Sequence, residues 1–261
     1  MDRHERLSTL LELLGTRGKM RVEELAAELG ASPATIRRDL DHLAAQQLLA
    51  RTHGGAVAQN VAYDLPLRYK SARHAPEKER IARAAAAMTE PGAVVGVNGG
   101  TTTTEVARSL VLRTGRPAAG REVPLTVVTN ALNIANELVV RPHVKVVVIG
   151  GVARAQSFEL TGPLGTRVLD EITLDVVFLG VDAIDPDRGA FAHNESEASI
   201  NREMASRARQ VVVVADSSKL GHLAFAQICP VTAVHLLLTD SGAPAEVVRR
   251  FESRGVAVKA V

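Results

Sequence analysis

Ser32-Pro33-Ala34-Thr35-Ile36-Arg37-Arg38-Asp39-Leu40-Asp41-His42-Leu43 both starts a helix and says which way it faces. Ser32 can accept a hydrogen bond from the free backbone N–H groups two or three positions on, and Pro33 has its φ preset for a first helical residue. With side chains turning by about 100° per residue, Ile36, Leu40 and Leu43 share one face. Arg38, Asp41 and His42 fall roughly opposite, with Arg37 on the flank. One face is suited to a core and the other to solvent or a charged partner.

Working outward, Leu7, Leu10, Leu11 and Leu14 recur at helical spacing, and Gly15 and Gly18 are predicted to end that helix. Val22 to Leu29 repeats the pattern, with Gly30 at its stop. On the far side, Leu48 to Thr52 and Ala56 to Ala58 are predicted strands joined through His53, Gly54 and Gly55, whose glycines permit the positive φ of a tight turn. Helix, helix, helix, hairpin is the order of a winged helix-turn-helix, over residues 1–58. In that setting Thr35, Arg37 and Arg38 stand near a helix N-terminus with Ser32, where side chains can reach phosphates and guanine edges in a major groove. Arg51 and His53 put a second cationic set on the wing. The competing reading makes Arg38 and Asp41 a solvated ion pair one helical turn apart. The capped start, the paired arginines and the glycine wing together favour the DNA-binding one.

Residues 59–75, with Asn60, Asp64 and Pro66, lose this patterning and are predicted to be a linker. From 76 to 261 the chain changes architecture. Pro76 opens a helix through about Met88. Strand-like runs then appear at Ala93–Val97, Leu125–Thr129, Val144–Ile149, Asp175–Leu179, Val211–Ala215, Val234–Thr239 and Val256–Ala260, mostly separated by helical patterns. Continuous Val-rich strands alternating with helices predict a parallel sheet covered on both faces, a doubly wound α/β domain of Rossmann-like type.

The ends of those strands carry small and polar residues: Asn98-Gly99-Gly100-Thr101-Thr102, Thr129-Asn130, Gly150-Gly151, Gly180-Val181-Asp182, Asp216 to Lys219, and Asp240. Ligands of open α/β sheets bind beyond the carboxyl ends of the strands. Glycines at 99 and 100 let backbone amides approach an oxyanion, while Thr101 and Thr102 add hydroxyls at a helix N-terminus. Lys219 offers a cation. A small anionic ligand is the predicted occupant, with Asn98, Asn130 and Asp182 able to read hydroxyls. Asp182, Glu197 and Lys219 could also support aldose–ketose proton transfer, which keeps an isomerase as the alternative. No Gly-x-Ser-x-Gly elbow, phosphate loop, complete dinucleotide fingerprint or metal-spaced histidine pair occurs, so no metal or cofactor is predicted.

Composition sets the outer bounds. In 261 residues, 46% apolar and 23% charged side chains with 3% aromatics and no Trp describe a folded chain packed on aliphatics. The lone cysteine, Cys229, cannot form an internal disulfide and fits a reducing cytoplasm. Neither a signal peptide nor a membrane span is predicted. Net charge is only +2, so DNA binding must come from a local arrangement of basic groups. A single winged helix-turn-helix covers little DNA, which predicts a homo-oligomer presenting two or more readers.

Val22-Glu23-Glu24-Leu25-Ala26, Ser32 through Leu40, and Arg51-Thr52-His53-Gly54-Gly55-Ala56 together resemble the DNA-binding signature of the DeoR family of bacterial transcriptional regulators. The resemblance continues through Glu77-Lys78, Ile81-Ala82, Gly100-Thr101-Thr102, Thr129-Asn130, Gly150-Gly151 and Asp216-Ser217-Ser218-Lys219, and so covers nearly the whole chain. It implies a partner, double-stranded operator DNA. It also implies a sensor domain resembling sugar-phosphate isomerases, with a phosphorylated sugar as effector and repression of sugar-metabolism genes as the outcome rather than catalysis. One departure stands out: many relatives carry Asp where this chain has Asn98, and an amide cannot act as a proton-transferring base.

Overall fold

The computed structural model describes residues 1–46, 48–58, 67, 74–114 and 124–261, in two compact units, Met1–Arg73 and His74–Val261. Apart from Leu67, His74 and Ala75, the predicted linker 59–75 lies outside the described residues.

The first unit runs α1 (Arg3–Arg17), β1 (Lys19–Arg21), α2 (Val22–Leu29), α3 (Pro33–Ala45), β2 (Leu49–Thr52) and β3 (Gly55–Ala58). Asp2 caps α1 by accepting the Glu5 N–H at 2.7 Å. The helix runs through Gly15 and stops at Gly18, whose φ of 74° lets its N–H turn back to the Leu14 carbonyl. An exposed glycine inside a last turn weakens a helix without ending it. Leu10, Leu14, Leu25, Ile36, Leu40 and Leu43 make the common core.

The unforeseen element is β1, which pairs antiparallel with β3, Met20 opposite Ala56. Three residues are too few to show a period of two. This strand also corrects the reading of the wing glycines. Gly54 has φ 82° and makes the turn with His53, but Gly55 does not lie at positive φ. It is glycine because a Cβ there would sit 2.2 Å from the Met20 carbonyl oxygen.

In the second unit, β4 (Val94–Val97), β5 (Leu125–Thr129), β6 (Val144–Val148), β9 (Leu174–Leu179), β12 (Ala208–Val214), β14 (Leu236–Thr239) and β15 (Ala257–Ala260) form one parallel sheet. Its spatial order is β15-β14-β12-β9-β4-β5-β6. Each strand-like run read from the sequence is one of these strands, shifted by at most a few residues.

Val95, Val97, Val127 and Phe178 face a core shared with α4 (Ala75–Met88), α5 (Thr101–Thr114) and α6 (Leu132–Leu138) through Ile81, Val106 and Ile134. Val128, Val177, Leu179 and Val213 face the opposite core, with Leu169 of α7 (Pro163–Asp170), Met204 of α8 (Glu195–Ser206) and Phe251 of α9 (Ala245–Ser253). Winding reverses between β4 and β9, and a crevice opens at such a switch point beyond the strand ends. Two short antiparallel additions were not foreseen: β7 (Val152–Ala153) with β8 (Leu160–Thr161), and β10 (Ala183–Asp185) with β11 (Gly189–Ala192) and β13 (Ala226–Cys229). Cys229 is buried there, and burial pushes its thiol up to about 11.

Candidate functional site

The reading helix starts as its sequence requires. Ser32 Oγ accepts the Thr35 N–H at 3.1 Å, and the two hydroxyl oxygens lie 2.9 Å apart. Ser32 and Thr35 are therefore engaged with each other at the cap. Arg37 is exposed, 3.7 Å from Glu23 of α2. The Arg38–Asp41 pair of the competing reading is not among the ion pairs of the described residues. Asp41 instead takes Arg51 Nε at 2.9 Å, and Arg51 also donates to the Gly55 carbonyl at 2.9 Å. Arg51 thus braces the wing against α3, and Asp41 offsets its charge. Among the described residues Arg38 has no ion pair, and it is exposed; His53 is exposed at the turn.

Asp39 escaped the sequence reading. It is 3% exposed and holds Arg6 Nε at 2.7 Å, with Arg3 at 3.7 Å, clamping α1 to α3. The signal was a carboxylate beside Leu40, flanking the buried face, with two arginines early in α1.

At the switch point of the sheet, Asn98 ends β4 and joins β9. Its Nδ2 donates to the Gly180 carbonyl at 3.0 Å and its Oδ1 accepts the Gly180 N–H at 2.7 Å. An aspartate could accept the second bond but would meet the Gly180 carbonyl oxygen with an unshared pair. Asparagine is the side chain that satisfies both.

Gly99 is shaped by a neighbour that the sequence did not reveal: a Cβ there would meet Glu159 Cγ at 2.3 Å and Oε1 at 2.6 Å. Gly100, φ 148°, leads into α5, where Thr104 returns both its N–H and its hydroxyl to the Gly100 carbonyl. Thr101 is half-buried and Thr102 buried in the first turn, whose leading N–H groups have no partner within a helix.

Thr129 and Asn130 end β5. Thr129 Oγ1 accepts the Ala131 N–H at 3.0 Å, and Asn130 Nδ2 donates to Asn201 Oδ1 of α8 at 3.2 Å. Asn201 Nδ2 in turn approaches Glu159 Oε2 at 3.4 Å. Gly150 and Gly151 follow β6 at φ 82° and 126°, and a Cβ on Gly151 would lie 2.6 Å from the Thr161 carbonyl oxygen, so this glycine admits β8. Asp182 accepts the His193 N–H at 2.9 Å.

Beyond β12, Asp216 starts the short turn Ser217–Lys219 and accepts the Lys219 N–H on its carbonyl at 3.0 Å. Asp240, after β14, takes the Ser217 N–H at 2.6 Å and the Gly242 N–H at 2.8 Å. Burial would raise its carboxyl, but these bonds outweigh burial and hold it below the usual range.

Glu159 behaves in the opposite way. Burial, reinforced by the like charges of Glu197 and Asp182, pushes its carboxyl well above the usual value, with Asn201 and Asn130 only partly countering. The nearby guanidinium of Arg154 lies 3.0 Å from Glu197. Glu159, Asn201 and Thr103 are the site residues that sequence reasoning missed. They come from a β-bridge, a helix interior and a helix first turn, and only the fold brings them together at the strand ends.

A winged helix-turn-helix with an outward arginine, on one chain with a doubly wound unit that carries polar residues at its strand ends, is the make-up of a DNA-binding regulator with a sensor domain. Comparison with known proteins gives the family. The DeoR-like helix-turn-helix domain matches residues 6–61 and the DeoR C terminal sensor domain residues 73–241. The chain belongs to the DeoR family of transcriptional regulators. It is similar to the HTH-type transcriptional regulator GlpR of Haloferax volcanii, 35% identical over 97% of this chain and 96% of that one. It is also similar to the glycerol-3-phosphate regulon repressor of Escherichia coli, 31% identical over 95% of each. A solved ribose 5-phosphate isomerase from Methanocaldococcus jannaschii superposes on 57% of this chain and 55% of its own with a TM-score of 0.41 at 17% identity, too loosely to argue from. Among the described residues no helix is long and apolar enough to cross a membrane.

Proposed function

We propose that this protein represses sugar-metabolism genes in the cytoplasm and loosens its hold on operator DNA when a phosphorylated sugar enters the strand-end crevice of the sensor unit. The observation that carries the reading is Arg38, exposed and without an ion pair among the described residues, beside a capped helix N-terminus. Arg37 and His53 support it, and Ser32, Thr35 and Arg51 hold the reader in shape. On the ligand side, backbone N–H groups from Gly99 and Gly100 into Thr101 and Thr102 take the phosphate together with the Thr101 and Thr102 hydroxyls, and Lys219 neutralises it. Asn130 and Asp182 read hydroxyls, within walls shaped by Asn98, Thr129, Gly150 and Gly151. Similarity to a glycerol-3-phosphate regulon repressor of Escherichia coli supports a phosphorylated effector.

The isomerase reading is disfavoured at the residues themselves. Asn98 cannot serve as a base and is bonded to Gly180 on both its polar atoms, and Arg154 sits on Glu197. Calorimetry with a panel of sugar phosphates tests the site. Thr101→Ala and Lys219→Ala are each expected to weaken binding by about 10- to 150-fold, as the loss of one hydrogen bond to a charged group predicts. Unchanged affinity in both moves the pocket elsewhere, and aldose–ketose turnover abolished by either substitution favours the enzyme. Effector and operator must weaken each other by the same factor, with about 1–3 kcal/mol of coupling carried through the linker 59–75. Light scattering is expected to find a dimer or a higher even-numbered oligomer, because adequate specificity needs two readers on spaced half-sites. A monomer both free and operator-bound would refute that arrangement.

A further inference from the structure

We propose that Glu159 forms the inner wall of the crevice and hydrogen-bonds a bound anionic ligand as a carboxylic acid, so that the site takes up the anion and a proton together. The inference rests on the sensor-site reading above and names a residue that determines which ligands the site accepts.

The Cβ side of Gly99 is filled by Glu159, whose Cγ and Oε1 lie 2.3 Å and 2.6 Å from where a Cβ would be, so the carboxyl packs directly on the backbone that an anion would meet. Glu159 is 3% exposed, so water does not screen what it faces. The groups around it are of two kinds. From α8 come Asn201, at 3.4 Å, and the Glu197 carboxylate; from beyond β5 comes Asn130; from beyond β9 comes the Asp182 carboxylate. Arg154, on its own turn, donates its backbone N–H to the Glu159 carbonyl while its guanidinium pairs with Glu197.

Two further polar atoms point to a missing partner in the same place. Asn130 Oδ1 and Thr103 Oγ1 belong to side chains of 0% exposure and have no hydrogen-bond partner. Thr103 Oγ1 lies between Gly100 and Gly180, 2.9 Å and 3.4 Å from where their Cβ atoms would be. Buried polar atoms left unpaired are destabilising, and a ligand with hydroxyls would complete them.

Charge then decides the protonation state of the wall. An ionised Glu159 beside an anion would add a third repulsion to those of Glu197 and Asp182, whereas a neutral carboxyl both removes it and supplies an O–H donor. The burial that raises its carboxyl acts in the same direction. A raised group binds its proton below its folded-state value and loses it as pH rises through that value. Anion affinity should therefore be full at low pH and fall as pH rises.

The test is calorimetric titration of the full chain with inorganic phosphate and with glycerol 3-phosphate. In the parent, affinity is expected to fall with rising pH, approaching about tenfold per unit once Glu159 ionises in the free protein. Glu159→Gln keeps the shape and stays neutral, so its affinity should follow only the second ionisation of each probe, which for the monoester glycerol 3-phosphate has a pKa of about 6. Should that variant fail to fold, the parent alone suffices: binding enthalpies in buffers of different ionisation heat, taken at intervals from pH about 6 to about 10, report the protons taken up. Uptake that climbs toward one proton at the alkaline end supports the inference, and none at any pH overturns it. Matching pH profiles for parent and variant overturn this inference alone. No binding of either probe overturns it together with the sugar-phosphate reading beneath it.

Discussion

Replacing Asp39 with alanine is expected to loosen the whole DNA-binding unit, although Asp39 touches neither DNA nor ligand in the reading advanced above. Its carboxylate is buried and receives Arg6 Nε at 2.7 Å, while the Arg6 side chain is itself only 15% exposed. Removing one member of a buried pair leaves the other charge unpaired, at a cost of about 3–5 kcal/mol. Because Arg6 retains some solvent, the lower end applies, about 3 kcal/mol, or roughly a hundredfold loss of protection in hydrogen exchange. Mass spectrometry on the full chain should show that loss across α1 and α3 and not in the sheet of the second unit. Unchanged protection in α1 would refute the clamp.

Replacing Arg38 with alanine should do the reverse, leaving the fold intact and weakening operator binding. Its side chain points away from the Ile36, Leu40 and Leu43 face, each 0% exposed, so no packing is lost. A lost base contact costs about 1–3 kcal/mol and relaxes specificity at one position, whereas a lost phosphate contact lowers the salt slope by about one. Operator titrations across a salt series distinguish the two, and circular dichroism should not change. Equal affinity to the parent at every salt concentration would remove Arg38 from the interface. Arg51→Ala is a less direct probe, because it would also free Asp41 and unbrace the wing.

These two neighbouring residues mark the limit of what was legible. Arg38 could be read from helical phase alone, since side-chain direction on a capped helix follows from position. Asp39, one residue further, lies on the flank of the same helix, and its burial depends on Arg6 arriving from α1. The two wing glycines divide similarly: Gly54 is required by local turn geometry, Gly55 by a strand thirty-odd residues earlier in the chain.

In the second unit the amino-acid sequence by itself determined the seven Val-rich strands, the helices between them and the polar residues at the strand ends, because periodicity and turn chemistry act over a few neighbouring residues. It therefore also determined that any ligand site lies at one edge of the sheet. Tertiary structure alone decided the order β15-β14-β12-β9-β4-β5-β6, and with it which strand ends meet. It set Asn98 against Gly180, 82 positions away, and carried Glu159 to Gly99 and Asn201 to Asn130. Burial, like-charge repulsion and hydrogen bonding between such distant residues depend on distances in space, which only the packing of both cores against the sheet creates.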